Sequence, residues 1–188
     1  MLGRGSPVSS LGLEPLSPKE ALKELMKSLD ARLIRRGDDL TGVPYLWRAY
    51  LSNSPKSSGI GAFLHRFVSS DEMEYHCHPW AWSYSFILAG SYTEDRAFAL
   101  DINFGASTAT LDGSTKHQRR FWPGDVNLIR AETFHRVQLE TAEVVTLFVH
   151  GPRVQDWGFV AMNEWGRPIP MRLMTGHTRD RLKPEQVR

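Results

Sequence analysis

Apolar and polar positions change period twice along this chain. Between Ser17 and Leu33, apolar residues recur at helical spacing: Leu22, Leu25, Met26, Leu29 and Leu33. Ser17-Pro18-Lys19-Glu20 supplies a start signal, with a serine cap, proline at the first helical position and glutamate three after the cap. The pattern predicts an amphipathic helix that stops at Gly37 and packs on the outside of a β domain. From Val43 the period shortens to two. Strands are predicted over 43–51, 61–68, 73–78, 84–89, 92–100, 107–111, 126–130, 134–139 and 144–149. Many short strands separated by turn residues imply a mainly antiparallel β sandwich or barrel. Residues 52–59 read as a Ser/Pro/Gly loop and 116–120 as a polar loop.

Within this frame the most informative stretch is His76-Cys77-His78. Two histidines two apart on a strand project from one face, which sets two imidazoles side by side. A third, His135, comes eleven residues after Gly124 in the turn Trp122-Pro123-Gly124-Asp125. Cys77 points away from its neighbours by the same alternation.

These two segments resemble the paired signature motifs of the cupin superfamily. His76 and His78 fill the histidine positions of the first motif and Gly90 its closing glycine. The glutamate position falls at Ser83. Gly124 and His135 keep the spacing of the second motif, with Arg130, Glu132 and Leu139 at its usual proline, glycine and asparagine positions. The resemblance covers about residues 60–160. It implies a cupin-type antiparallel β-barrel (a double-stranded β-helix, or jelly roll) with an N-terminal helix. The expected organisation is an arm and helix over 1–40, the barrel over 41–165, and a tail over 166–188 that wraps the domain or is disordered. The stretch between the motifs is long, so an extra hairpin is expected there.

The resemblance also implies a divalent metal on His76, His78 and His135. Imidazole ligands suit Fe, Zn, Cu and Ni; Fe(II) is the first expectation, with Zn, Mn, Ni or Cu as alternatives. Three protein ligands leave room for water or substrate. Glu74 shares a face with the paired histidines, and Glu94 comes just past the Gly90 turn; either is a candidate carboxylate, Glu74 in a catalytic role and Glu94 in the pocket. Trp80, Trp82 and Tyr84 are the expected aromatic wall of that pocket. On the preceding strand either Arg66 or His65 points inward, depending on the turn between them and the first motif; Arg66 is the candidate for binding a substrate carboxylate. Arg136 is expected to face away from the pocket, His117 to be solvated, and Trp157 to plug one end of the barrel.

A three-histidine cupin without the carboxylate ligand resembles the thiol dioxygenases. That likeness implies a mononuclear Fe(II) oxygenase acting on a small anionic molecule. The alternatives are a non-catalytic cupin that binds a small ligand and a metal-assisted isomerase or lyase.

Composition narrows the partners. The chain has 188 residues, 41% of them hydrophobic, enough for one domain with a core. A net charge of +2 with scattered arginines argues against nucleic acid. No apolar run approaches the roughly 20 residues of a membrane span. The first 16 residues lack the apolar block of a signal peptide, and a lone cysteine fits a reducing compartment. The expectation is a cytoplasmic protein with a small-molecule substrate and a possible homodimer through its aromatic first strand.

Overall fold

A computed structural model describes residues 16–36, 42–52, 59–71, 74–103, 108–111, 117–162 and 168–169. The expected N-terminal arm, the 53–58 part of the Ser/Pro/Gly loop, Gly37 and all but Pro168–Ile169 of the expected tail lie outside them.

Helix α1 spans Pro18–Ser28 and begins as its sequence dictates. Ser17 Oγ accepts from the Glu20 N–H, and the Glu20 carboxylate accepts from the Ser17 N–H, so both orphan donors are satisfied. The helix does not run to Gly37. Asp30 turns left-handed at φ 51°, and the Ala31 N–H closes back on the Met26 carbonyl. Leu33 matches the helical period, yet it sits in strand β1, Arg32–Arg36, an element the periodicity did not reveal. Leu22, Met26 and Leu29 pack on Ala49, Leu64 and Val145, so the helix covers the outer face of a sheet.

That sheet has six strands in the order β1, β2 (Val43–Tyr50), β3 (Gly61–Phe67), β11 (Val144–His150), β5 (Trp82–Ala89), β9 (Val126–Arg130). The opposing sheet runs β13 (Pro168–Ile169), β12 (Gly158–Met162), β4 (Glu74–Cys77), β10 (Thr133–Leu139), β6 (Tyr92–Asn103), β7 (Thr108–Leu111), with β8 (His117–Phe121) also on β6. All pairings are antiparallel. Ile87 and Val144 from the first sheet meet Tyr92, Phe121 and Val137 from the second, which closes one end of the sandwich.

The expected extra hairpin exists as the pairing of β6 with β7. From His117 onward, the expected polar loop at 116–120 is instead strand β8, whose first four residues are exposed. Polar side chains suit an edge strand, and cross-strand contacts such as Gln118 to Asp95 hold it. The two motif glycines mark the turns. Gly90 adopts φ 75°, and a Cβ there would meet the Glu143 carbonyl oxygen at 2.1 Å; Gly124 adopts φ 97°.

Candidate metal centre

The short strand β4 lies between β10 and β12, and His76 pairs directly with His135. His78 comes immediately after β4. Strand alternation therefore turns all three imidazoles into the space between the sheets. One ligand atom from each lies within 4.8 Å of the others. The Nε2 atoms of His78 and His135 are 2.9 Å apart. His78 and His135 are buried, and His76 is half-buried.

Glu94 organises this cluster from behind. It is wholly buried on β6, with Oε1 accepting from His135 Nδ1 at 2.5 Å. Arg96 Nε donates to Glu94 Oε2 at 2.6 Å and Asn127 Nδ2 to Oε1 at 3.1 Å. Burial alone pushes the Glu94 carboxyl up; the hydrogen bond and charge of His135, then those of Arg96, outweigh it and hold it at about 2. A carboxylate on Nδ1 places the His135 proton there and leaves the Nε2 lone pair for the cavity. Burial, then the charges of His135 and His76, drive the His78 pKa well below the usual histidine range. His78 is thus neutral, the form that ligates metals.

Two facing imidazole nitrogens, one of them fixed as a lone pair, fit a cation held between them and His76. The donor set of three imidazoles suits a divalent transition metal. Asp71 adds a second carboxylate. Its Oδ2 lies 3.9 Å from His76 Nδ1 and accepts from the Val137 N–H at 2.7 Å, while Oδ1 accepts from the Tyr45 hydroxyl at 2.5 Å.

The histidines open on a cavity of about 300 Å³. Its walls are largely apolar, with Phe67, Phe148, Trp157 and Phe159 among them, and include Arg48, His65 and Asp71. Trp157, expected as an end plug, lies 5.0 Å from the His78 ring.

Other expected residues fall elsewhere. Arg66 does not line the cavity; it faces the helix side, 2.5 Å from Glu143, and Lys23 of α1 reaches the same acid at 3.4 Å. The strand register puts the buried His65 inward instead. Trp82 and Tyr84 also lie on the outer face, because the bend at Pro79–Ala81 breaks the alternation that carries His76 and His78 to Trp80. Past it, Ser83, Ser85 and Ile87 are the buried positions, and Tyr84 is exposed. Trp80 stays near the site, 5.7 Å from the His78 ring. Ser83 donates to the Ile129 carbonyl rather than to the cluster. Glu94 stands behind His135 and not in the pocket wall. The backbone of Glu74 opens β4; its side chain lies outside the described atoms. Arg136 faces away, paired with Asp95. Sequence spacing did not single out Arg48, Asp71, Arg96 or Asn127 as site residues. An arginine two residues after a glutamate on one strand shares its face, the one available signal for Arg96.

No protein-family model matches the chain, and no curated protein matches it. Solved structures do. KdgF from Halomonas sp. is 15% identical at a TM-score of 0.40, over 58% of this chain and 80% of that one. Hydroxypropylphosphonic acid epoxidase from S. wedmorenis is 10% identical at 0.44, over 74% of this chain and 59% of that one. An RmlC-like cupin protein from Ralstonia eutropha is 13% identical at 0.44, over 81% and 79%. Two antiparallel sheets with three histidines converging between them complete the picture that the two motifs began. The fold is of the cupin type. No described helix of this chain is long and apolar enough to cross a membrane.

Proposed function

We propose that this cupin is a mononuclear Fe(II) dioxygenase acting on a small anionic molecule. One observation carries the reading: three imidazoles converge at the base of an apolar cavity, with a carboxylate fixing the tautomer of one of them. His76, His78 and His135 would hold the metal, and the cavity side of the cluster is where substrate and oxygen approach. Bound Fe(II) supplies oxygen chemistry that no side chain can perform.

The protein's own groups have distinct tasks. Glu94 keeps the His135 proton on Nδ1. The wall of Phe148, Trp157 and Phe159 excludes water from the reacting centre. Three neutral ligands leave the charge of a divalent cation uncompensated, which favours an anionic substrate. Adding both oxygen atoms to that substrate balances electrons without an external reductant.

The test is elemental analysis of protein purified without added metal, followed by an oxygen electrode with Fe(II)-loaded protein and a panel of thiols and 1,3-dicarbonyls. The reading expects near-stoichiometric metal and oxygen uptake that His76→Ala abolishes. Turnover of an isomerisation or elimination substrate with no oxygen uptake would replace it with a metal-assisted isomerase or lyase.

A further inference from the structure

The wall of the cavity formed by the six-stranded sheet carries no histidine ligand. It presents Arg35 from β1, Arg48 from β2 and His65 from β3. Arg48 and His65 form a unit: Arg48 Nε donates to His65 Nε2 at 2.9 Å. The guanidinium lies 4.9 Å from the Phe63 ring centroid, and Tyr50 also hydrogen-bonds it. It makes no ion pair with a carboxylate among the described residues. The acids nearest the cavity are occupied, Asp71 by Tyr45 and the Val137 N–H, Glu94 by His135, Arg96 and Asn127.

His65 adds the second, independent sign. It is 4% exposed, and burial first, then the charge of Arg48, drives its pKa well below the usual range. A neutral imidazole carries one proton. Nε2 accepts from Arg48, so the proton is on Nδ1, and that buried atom has no hydrogen-bond partner. A desolvated guanidinium and an unanswered N–H thus belong to one wall of a cavity whose opposite wall holds the histidine cluster.

We infer that Arg48, held by His65, recognises the acidic group of the ligand, and that the ligand is a small carboxylic acid whose apolar body packs on Phe67, Phe148 and Phe159 while its other end reaches the three histidines. A guanidinium matches a carboxylate in plane and in charge. Only the last clause rests on the metal-centre reading; the anion site is built from the six-stranded sheet.

Calorimetry on the full-length protein tests this with 3-phenylpropionate, its neutral counterpart 3-phenylpropionamide, and 2-phenylethylphosphonate. Metal content is measured on every sample, and folding is checked by circular dichroism. The expected result is at least tenfold tighter binding of the carboxylate than of the amide. That preference should fall to within twofold in Arg48→Gln, be partly kept in Arg48→Lys, and be unchanged in the outward-facing Arg66→Gln. Equal affinity for carboxylate and amide, no saturation by either, or a preference that survives Arg48→Gln overturns the inference. Tenfold tighter binding of the phosphonate than of the carboxylate overturns the assigned class. Wild type without metal that still prefers the carboxylate sinks the metal-centre reading and leaves the anion site standing. Metal-replete protein with no preference does the reverse.

Discussion

In the seven-stranded sheet, two of the three histidines have an acid beside them: Glu94 hydrogen-bonds His135, and Asp71 lies 3.9 Å from His76. In the six-stranded sheet, Arg48 and His65 have each other and, among the described residues, no acid paired with them. The first wall has its carboxylates placed before any ligand arrives, and the Glu94 hydrogen bond holds the His135 ring with Nδ1 turned to the acid and Nε2 toward the cavity. The second wall leaves positive charge and a donor uncompensated. A cavity built this way separates two tasks, holding a cation on one side and greeting an anion on the other.

The comparison is easiest to break at the histidines. His135→Ala should lower metal affinity by roughly a hundredfold or more, measured by competition with a chromophoric chelator, because it removes a ligand outright. Retained affinity would mean that the cluster is not the metal site. Glu94→Gln should cost roughly 10–100-fold in the same assay, through loss of the tautomer lock. It should also lower stability in urea unfolding by about 2 kcal/mol, since Arg96 loses its charged partner in a buried network.

Asp71→Asn sharpens the contrast between the two acids. At 3.9 Å from His76 it should move metal affinity less than Glu94→Gln, while loosening the Val137 and Tyr45 contacts by about 1 kcal/mol. Equal effects would show that the two carboxylates act alike. On the other wall, His65 is held neutral with its folded pKa below the unfolded value. The unfolded chain therefore binds more protons, and this contribution to stability is full above about pH 6.5 and lost as pH falls below it. Urea unfolding at pH 7.5 and 5.5 should show about 1 kcal/mol less acid destabilisation in His65→Asn than in wild type. The smallest effect belongs to Arg66→Gln, outside both walls. It should leave metal affinity unchanged and cost up to about 1 kcal/mol through the Glu143 pair.

The features that sequence revealed were those encoded in local spacing. The His-x-His pair and the glycine turns are readable because strand alternation and positive-φ turns act over a few residues, and the third histidine because its spacing from Gly124 resembles the second cupin motif. The fold class came from the same periodicities, as did the helix start at Ser17. Two kinds of feature escaped. One is a break in alternation: nothing in Pro79-Trp80-Ala81 announces that Trp82 and Tyr84 exchange faces with the serines. The other is partnership across sheets. Arg66 and Arg48 both sit on strands with aromatic neighbours, and only the register of β2 with β3 decides which enters the cavity. Glu94 was legible as a carboxylate near the site, but its place behind His135 depends on the pairing of β6 with β10.

Strand β5 inverts the ordinary division of large and small side chains. Its hidden positions carry Ser83 and Ser85, and its outer ones carry Trp82, Tyr84 and Phe86. The hollow beside the histidines is therefore specified by economy of bulk on one short strand. One residue added or removed between His78 and Ser83 would rotate the strand by one position and send three aromatic rings inward. The length of that four-residue connection is thus a setting for how much space the molecule keeps for its ligand.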